Sequence, residues 1–222
     1  MTECEEYDPY YGLPIFNYRD LDFNYIKSLY FVRYRNRLEG SKDSVLHFYT
    51  QDYRFNSIWT FPSRYVSMFK SFYSIISPDF SIYENFPYPV QLYNLYRIRM
   101  IDCYYINRGV KVIPNISFSS KLLDCFLFGI DVNTVSVRGT SINSDSYVLR
   151  LYSIALELMY NKGINNIIVY GRLPEDLINK FQSINFLFVN DKYNPVAVWV
   201  VFYFMAATGL YFLICLYLFF NI

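Results

Sequence analysis

The stretch IIVYGRLPEDLINKFQSINFLFVND, residues 167–191, has two short apolar runs separated by a polar segment. The runs at 167–170 and 186–189 are rich in β-branched and aromatic residues, which favour strands. Pro174 and the two acidic residues after it suit the first turn of a helix, because proline needs no amide partner there and a helix N-terminus stabilises negative charge. The stretch therefore predicts a strand, a helix and a second strand, and strands joined by such a crossover are parallel.

The same alternation of strands and helices recurs about six times before residue 195. The predicted strands are 44–49, 74–76, 110–113, 134–137, 167–170 and 186–189, and the predicted helices are 62–73, 89–107, 147–162 and 174–181. Alternation at this spacing is typical of a mainly parallel sheet with right-handed crossovers. Fully apolar strands indicate a sheet that is covered on both faces. The sequence therefore predicts an α/β fold built on a mainly parallel sheet or partial barrel.

Residues 196–220, VAVWVVFYFMAATGLYFLICLYLFF, are 25 consecutive positions without a charged side chain. As a helix they would span roughly 38 Å, against about 30 Å of hydrocarbon in a bilayer. Aromatic residues lie near both ends, where they suit the two membrane interfaces. Lys192 precedes the segment and no basic residue follows it, which favours a cytoplasmic position for the preceding chain. The segment predicts a transmembrane helix, and a buried core helix is the alternative.

These patterns divide the chain into three predicted parts. They are an irregular N-terminal segment at 1–25, an α/β domain at 26–194 and a transmembrane helix at 195–222. The acidic start, MTECEEYDPYYG, lacks the apolar core of a signal peptide. We therefore expect a single-pass membrane protein, attached through residues 196–220, whose N-terminal domain is cytoplasmic.

The composition limits the possible functions. Hydrophobic residues make up 54% of the chain, and 25 Tyr and 21 Phe are spread along its whole length, a bias that an AT-rich genome explains more simply than an aromatic binding surface. The net charge of +1 gives no long-range field for nucleic acid, although a local basic face stays possible. The four cysteines form no CxxC pair and the one histidine is His47, so we predict no metal site, no disulfide framework and a reducing compartment.

Polar side chains follow several predicted strands. They are Asp52, Asp79, Ser81, Asn115, Ser117, Arg138, Thr140, Arg172 and Asp191. Ligands of parallel α/β folds bind at the carboxyl ends of the strands, where loops from consecutive units meet. We therefore expect these side chains to gather along one edge of the sheet.

Asp79 and Ser81, in the turn after the strand at 74–76, are the predicted catalytic residues. A carboxylate at a strand end can act as a general base or bind a metal ion. The alternative is a purely structural turn, in which the aspartate accepts hydrogen bonds from nearby backbone amides. His47 lies inside a predicted strand, so we expect a core residue there and no catalytic base.

Asn115, Arg97, Arg99 and Arg138 are predicted ligand-binding residues. Arg97 and Arg99 are two positions apart on one predicted helix and therefore point to different faces. One of them can reach an anionic ligand at the strand ends, while the other pairs with an acid such as Asp102. Arg138 begins the run Arg-Gly-Thr-Ser, whose backbone amides can bind an anion. The GxxxxGK[ST] and GxGxxG patterns of nucleotide sites are absent.

Three stretches carry a resemblance to a known family. SPDFSIY at 77–83, QLYNLYRIRMIDCYYINRGVKVIPNISF at 91–118 and IIVYG at 167–171 resemble the domain of unknown function 4417 family. The resemblance covers about residues 10–192 and implies that Gln91 belongs to the ligand-binding set. It also marks further pattern positions, namely Asp79, Ser81, Tyr96, Arg97, Arg99, Gly109, Pro114 and Phe118, although the family pattern has Trp at the last of these.

The resemblance implies a setting in bacterial phages and mobile elements but no activity, since the family has none that is settled. It implies no terminal membrane helix, so the apolar segment would be a fused or frameshifted end. The sequence leaves two functions open. One is an enzyme or binding domain for a phosphorylated or nucleic-acid ligand at the strand ends, anchored in a membrane. The other is a non-catalytic, membrane-attached accessory protein that acts through protein contacts. No cofactor follows from the sequence.

Overall fold

The computed structural model describes residues 4–139 and 145–190. A short antiparallel ladder comes first, formed by β1 (Glu6–Tyr7) and β2 (Pro14–Ile15). Helix α1 (Phe23–Ile26) follows, and the Asp22 side chain caps it by accepting hydrogen bonds from two backbone amides. The segment predicted to be irregular at 1–25 thus contains a ladder that packs on the rest of the molecule.

Seven parallel strands follow in the described part of the chain. They are β3 (Tyr30–Arg33), β4 (Ser44–His47), β5 (Ser74–Ile76), β6 (Val112–Ile113), β7 (Thr134–Arg138), β8 (Asn166–Tyr170) and β9 (Asn185–Val189). Strands β3 to β6 form one sheet and β7 to β9 form another, each in chain order. A parallel bridge between Asn115 and Ser136 joins the two sheets. The α/β class and the parallel arrangement predicted from the sequence are confirmed.

Helices connect most of these strands. They are α2 (Ser57–Thr60), α3 (Val66–Lys70), α4 (Tyr88–Ile106), α5 (Ser146–Asn161) and α6 (Glu175–Lys180). Pro89 lies in the first turn of α4, and the Asp145 side chain caps α5 by accepting from the Val148 amide at 2.8 Å. The helix predicted at 62–73 is shorter than expected, because a 3₁₀ turn at Pro62–Tyr65 precedes α3.

The two sheets share an apolar cluster on their inner faces. One residue from each of six of the seven strands packs in it: Phe31, Val45, Ile76, Ile113, Ile168 and Val189. Phe23 and Ile26 of α1 belong to the same cluster. Arg33 Nη2 donates to the Tyr170 hydroxyl at 2.7 Å and so links β3 of the four-stranded sheet to β8 of the three-stranded sheet. Strands of both sheets thus meet around a common core.

The outer face of the sheet packs against the helices in a larger core. Leu46, Ile75, Val135, Ile167 and Val169 face outward and contact this core, since successive side chains of a strand point to opposite faces. Helix α4 is buried on most of its surface, including its polar residues, because the N-terminal segment covers the side that would otherwise meet solvent.

The N-terminal segment also forms a disulfide between Cys4 and Cys103 of α4. The sequence analysis, which predicted no disulfide framework, did not foresee this single bridge. The two cysteines are 99 positions apart, and nothing in their spacing indicates that the N-terminal segment lies on α4.

Among residues 4–139 and 145–190, the structure contains no helix with the length and apolar character needed to cross a bilayer. The segment predicted to do so, 195–222, lies outside the described residues.

Replacing Ile168 by Ala should lower the unfolding free energy by about 2–5 kcal/mol, because the substitution leaves a cavity where the inner faces of six strands meet. Urea unfolding followed by circular dichroism measures the change. The matched control is Ile15→Ala, at a position that is 41% exposed, for which we expect a change within about 0.5 kcal/mol. Equal losses in the two variants would contradict a packed core shared by the two sheets.

Candidate functional site

A cavity of about 730 Å³ opens at the carboxyl ends of the parallel strands. Its lining comes from strand ends, from the loops that follow them and from α5. The residues that line it are Arg33, Tyr49, Thr50, Gln51, Asp52, Tyr53, Asp79, Ser81, Ile82, Tyr83, Ile116, Ser117, Phe118, Arg138, Leu151, Tyr152 and Tyr170. We call this space the strand-end cavity. Its position agrees with the expected meeting of the strand-end loops along one edge of the sheet.

Asp79 lies at the centre of a polar network in the cavity floor. Arg138 donates through Nε at 2.8 Å and through Nη2 to the same oxygen, Asp79 Oδ2. Asn115 Nδ2 at 2.9 Å and Ser117 Oγ at 3.0 Å donate to the other oxygen, Oδ1. Each carboxylate oxygen thus accepts two hydrogen bonds, which is about its full capacity. This arrangement suits a carboxylate that orients Arg138 better than one that takes a proton from a substrate.

Asn115 is fully buried beneath the cavity, where the two sheets meet. Its Oδ1 accepts from the Tyr49 hydroxyl at 2.8 Å, and that hydroxyl lies 2.6 Å from Ser136 Oγ. Burial, and to a lesser degree the Asp79 carboxylate, raises the pKa of Tyr49 well above its ordinary value. The hydroxyl therefore keeps its proton and serves as a hydrogen-bond donor within the network.

Aromatic rings form one wall of the cavity. Tyr170 stacks on Tyr49 with ring centroids 4.7 Å apart and planes 15° apart. His47 lies behind this pair, with its ring 4.9 Å from that of Tyr170, and is a buried core residue as the sequence predicts. The Tyr152 hydroxyl donates to the carbonyl oxygen of Arg138 at 2.7 Å, and burial raises the pKa of Tyr152 to about 12. Tyr152 therefore keeps its proton and holds the Arg138 backbone in place.

Ser81 connects the loops that follow β4 and β5. Its hydroxyl donates to Asp52 Oδ1 at 2.9 Å, and its amide donates to Asp52 Oδ2 at 3.0 Å. Asn94 Nδ2 of α4 donates to the Ser81 carbonyl at 2.7 Å. A serine hydroxyl that donates to a carboxylate can be activated by it, so the catalytic role of Ser81 stays a prediction with Asp52 as its partner.

A second buried network joins the first beneath the cavity. The Asn115 amide donates to Ser77 Oγ at 3.0 Å, and Ser77 Oγ donates to Asp102 Oδ2 at 2.7 Å. The Tyr18 hydroxyl donates to the same carboxylate oxygen at 2.6 Å. Burial raises the pKa of Asp102 to about 7, although Arg99 and the two hydroxyl donors oppose this shift. Hydrogen bonds therefore run from the N-terminal segment through α4 to the cavity floor.

The structure brings together only some of the residues predicted for the site. Asp79, Ser81 and Arg138 line the cavity, and Asn115 lies directly below it. Thr140 and Asp191, also expected at the strand ends, lie outside the described residues.

The other three predicted ligand-binding residues lie on α4, outside the cavity lining. Arg99 is buried, with Nη1 4.0 Å from Asp102 Oδ2, which is the structural pairing that the sequence offers for one of the two arginines. Arg97 lies over the Phe80 ring at 3.8 Å and donates to Asn94 Oδ1 at 2.6 Å. Gln91 is fully buried, donates to the Phe86 carbonyl at 2.7 Å and accepts from Ser119. These three residues lie outside the cavity because neighbouring segments enclose α4, and the polar side chains of the helix bind those segments.

Sequence reasoning missed several residues of the cavity, among them Arg33, Tyr49, Tyr152 and Tyr170. Tyr170 ends a predicted strand and Tyr49 ends another, and that position was a usable signal. In a chain with 25 tyrosines it did not stand out. Within the described residues, no group of three or more His, Cys, Asp or Glu side chains is arranged to hold a metal ion.

Comparison with known proteins identifies relatives. The model of a family described as a domain of unknown function (DUF4417) matches residues 5–188. The Gene 1 protein of Mycobacterium phage L5 is 32% identical over 143 residues, which are 63% of this chain and 62% of that protein. The Gene 1 protein of Mycobacterium phage D29 is 30% identical over 132 residues, 58% of this chain and 49% of that protein. The chain thus spans less than two thirds of these relatives. No solved structure matches.

Replacing Asp102 by Asn should remove a pH dependence of stability. Folded Asp102 keeps its proton up to about pH 7, whereas its ordinary pKa is 3.8. Between these values the folded state binds the extra proton, so the unfolding free energy falls as the pH rises through this window. We expect the unfolding free energy of the wild-type protein, relative to that of D102N, to fall by up to about 4 kcal/mol between about pH 4 and pH 7 and then to stay level.

Urea unfolding at a series of pH values measures this difference. Asp131→Asn, at an exposed position, is the matched control, and the fall that Asp102 causes should persist in it. Parallel pH profiles for the wild-type protein and D102N would show that Asp102 does not titrate in this range.

Proposed function

This chain belongs to the domain of unknown function 4417 family, and from that premise we propose that its strand-end cavity binds a small phosphorylated molecule. The family supplies a phage setting, which the two mycobacteriophage relatives share. It supplies no reaction. The proposal is therefore supported by the geometry of the cavity alone.

The observation that carries the proposal is the placement of Arg138. Its side chain is 51% exposed at the cavity although two of its nitrogens are held by Asp79. Among the described residues, no hydrogen bond engages its Nη1. A guanidinium that is fixed by a carboxylate on one edge presents its other N–H groups in a defined direction, which suits the tetrahedral oxygens of a phosphate.

Arg33 is a second guanidinium in the lining. Its Nη2 donates to Tyr170, which stacks on Tyr49, and the Arg138 guanidinium lies 5.5 Å from the centroid of the Tyr49 ring. Both arginines thus contact the same stacked pair of tyrosines. We call Arg33, Arg138, Tyr49 and Tyr170 the arginine half of the cavity.

The size and position of the cavity suit a small ligand. Pockets for such ligands have volumes of about 300–1,000 Å³, and the strand-end cavity measures about 730 Å³. It lies at the edge of the sheet where α/β folds bind phosphorylated molecules. The catalytic role predicted for Ser81 belongs to this proposal, with Asp52 as the carboxylate that orients its hydroxyl. Asp79 would then position Arg138.

A second candidate function is attachment to a membrane as an accessory protein that acts through protein contacts. The observation that favours it is the uncharged stretch at 196–220, which is long enough to cross a bilayer. The cytoplasmic position of the domain belongs to the same proposal. The two functions are compatible, because the anchor would place the ligand-binding domain at the membrane surface.

Replacing Arg138 by Gln should weaken the binding of a phosphorylated ligand about 10- to 100-fold, because it removes charge-assisted hydrogen bonds to the phosphate. Isothermal titration calorimetry with ribose 5-phosphate and inorganic phosphate as probes measures the change. Arg138→Lys keeps the charge but loses the planar fork, so its affinity should lie between those of the wild-type protein and R138Q.

The control is Arg64→Gln, which removes an arginine that lies over the Phe61 ring, outside the cavity lining. Its affinity should equal that of the wild-type protein. Circular dichroism establishes that each variant is folded. If no phosphorylated probe binds, or if R64Q weakens binding as much as R138Q, the proposed function is wrong.

The full-length chain should sediment with the membrane fraction and require detergent for its release, whereas a variant that lacks residues 196–222 should not. Expression in bacteria, followed by fractionation and by extraction with carbonate and with detergent, measures this. Release of the full-length chain by carbonate would contradict a spanning helix, since carbonate removes proteins that are only bound to the surface.

A further inference from the structure

The strand-end cavity has a second side with different chemistry. Ser81 binds Asp52 through its hydroxyl at 2.9 Å and its amide at 3.0 Å, and its hydroxyl lies 3.2 Å from that of Tyr83. Tyr53 is the next residue after Asp52, and all four residues line the cavity. We call this group the carboxylate half. It comes from the loops after β4 and β5, while Arg138 and Tyr170 of the arginine half come from β7 and β8.

We propose that the cavity takes a ribonucleoside monophosphate, whose ribose hydroxyls bind Asp52 and whose base lies against Tyr53 and Tyr83. This inference rests on the proposed function, which places the phosphate at the arginine half. It adds the class of the ligand and the residues that select it.

Asp52 has the chemistry to bind a diol. Among the described residues, Ser81 alone donates hydrogen bonds to it, one to each carboxylate oxygen, so each oxygen can accept another. Two neighbouring acceptors on one carboxylate match two neighbouring hydroxyl groups, and an acidic residue binds the ribose hydroxyls in dinucleotide sites for the same reason. A phosphate would be repelled from this position. The carboxylate half therefore selects an uncharged, hydroxyl-bearing part of the ligand.

Tyr53 and Tyr83 offer flat apolar surfaces at the cavity mouth. These two tyrosines are 72% and 56% exposed, and both line the cavity. Exposed aromatic rings at a binding site commonly stack on the bases of a nucleic acid or nucleotide, because every base has a π-face. Their position next to Asp52 places a base beside the ribose.

The charges of the lining favour one phosphate group over three. Two arginines, Arg33 and Arg138, and two carboxylates, Asp52 and Asp79, belong to the lining, so their formal charges cancel. Asp79 is already paired with Arg138 at the floor. A monophosphate can be bound by directed hydrogen bonds at such a site, whereas a triphosphate would bring more negative charge than the lining can neutralise.

The test is calorimetry of the full-length chain in detergent micelles. The probes are the four ribonucleoside 5′-monophosphates, their 2′,3′-dideoxy counterparts, ribose 5-phosphate and adenosine triphosphate. We expect at least one ribonucleotide to bind tenfold or more tightly than its dideoxy counterpart. Asp52→Asn should remove this preference, so that the ribonucleotide and its dideoxy counterpart bind with equal affinity. Asp43→Asn, at an exposed position outside the lining, is the matched control and should keep the preference.

The tyrosines are tested separately. Replacing both Tyr53 and Tyr83 by Ala should weaken nucleotide binding tenfold or more and leave the affinity for ribose 5-phosphate unchanged. Tyr10→Ala, at a tyrosine that is 89% exposed and outside the lining, should change neither affinity.

The outcomes separate this inference from the function on which it rests. Equal affinities for the ribo and dideoxy compounds in the wild-type protein would overturn it and leave the proposed function standing, provided that ribose 5-phosphate binds and R138Q weakens that binding. This comparison needs no variant, so it holds even if D52N does not fold. A triphosphate that binds tenfold more tightly than the monophosphate would also overturn it. If no phosphorylated probe binds, the proposed function and the inference fail together.

Discussion

The backbone on either side of Asn115 pairs with Ser136 at the seam between the four-stranded and three-stranded sheets. The Ile116 amide donates to the Ser136 carbonyl at 2.7 Å, and the Ser136 amide donates to the Pro114 carbonyl at 2.8 Å. The Asn115 side chain meanwhile binds Asp79, Ser117 and Tyr49. Asn115 thus lies at the junction of the two sheets and also contributes its side chain to the floor of the cavity. Because an unsatisfied amide is costly in the interior, its partners are tightly constrained.

The same residue connects the cavity to the interior of the molecule. Ser77 Oγ accepts a hydrogen bond from the Asn115 backbone amide and donates one to Asp102. Tyr18 of the N-terminal segment donates to the same carboxylate. Buried polar groups of this kind depend on one another, since the loss of one partner leaves the next without a bond. The position of the N-terminal segment on α4 is therefore part of what fixes the cavity, although that segment does not line it.

The alternation of strands and helices could be read from the sequence because each unit is local. Apolar runs such as 167–170, a first-turn proline and a capping aspartate are signals within a few residues of the element they define. Strand β3 was missed, since it is a short run of mixed polarity next to arginines. The ladder of β1 and β2 and the disulfide of Cys4 with Cys103 depend on contacts between distant segments, which one sequence does not reveal.

The same distinction between local signals and contacts of distant segments applies to the candidate site. Asp79, Asn115 and Arg138 were predictable because strand ends of a parallel sheet share one edge, a rule that needs only the order of the elements. Arg97, Arg99 and Gln91 were predicted from helix position and family resemblance. The surroundings of these three side chains depend on which segments of the chain cover α4. The tyrosines of the cavity could not be predicted, because tyrosine is frequent along the whole chain and its occurrence at one position is therefore not informative.

The seam between the two sheets is narrow in its backbone pairing and is reinforced by side chains. Two backbone hydrogen bonds join the two sheets there in the described residues, whereas β7 and β8 pair along five consecutive residues. Arg138 belongs to the three-stranded sheet and Asp79 follows a strand of the four-stranded sheet, so their ion pair crosses the seam. The hydrogen bond between Tyr49 and Ser136 crosses it as well. A ligand that contacts Arg138 would therefore touch a side chain that also joins the two sheets.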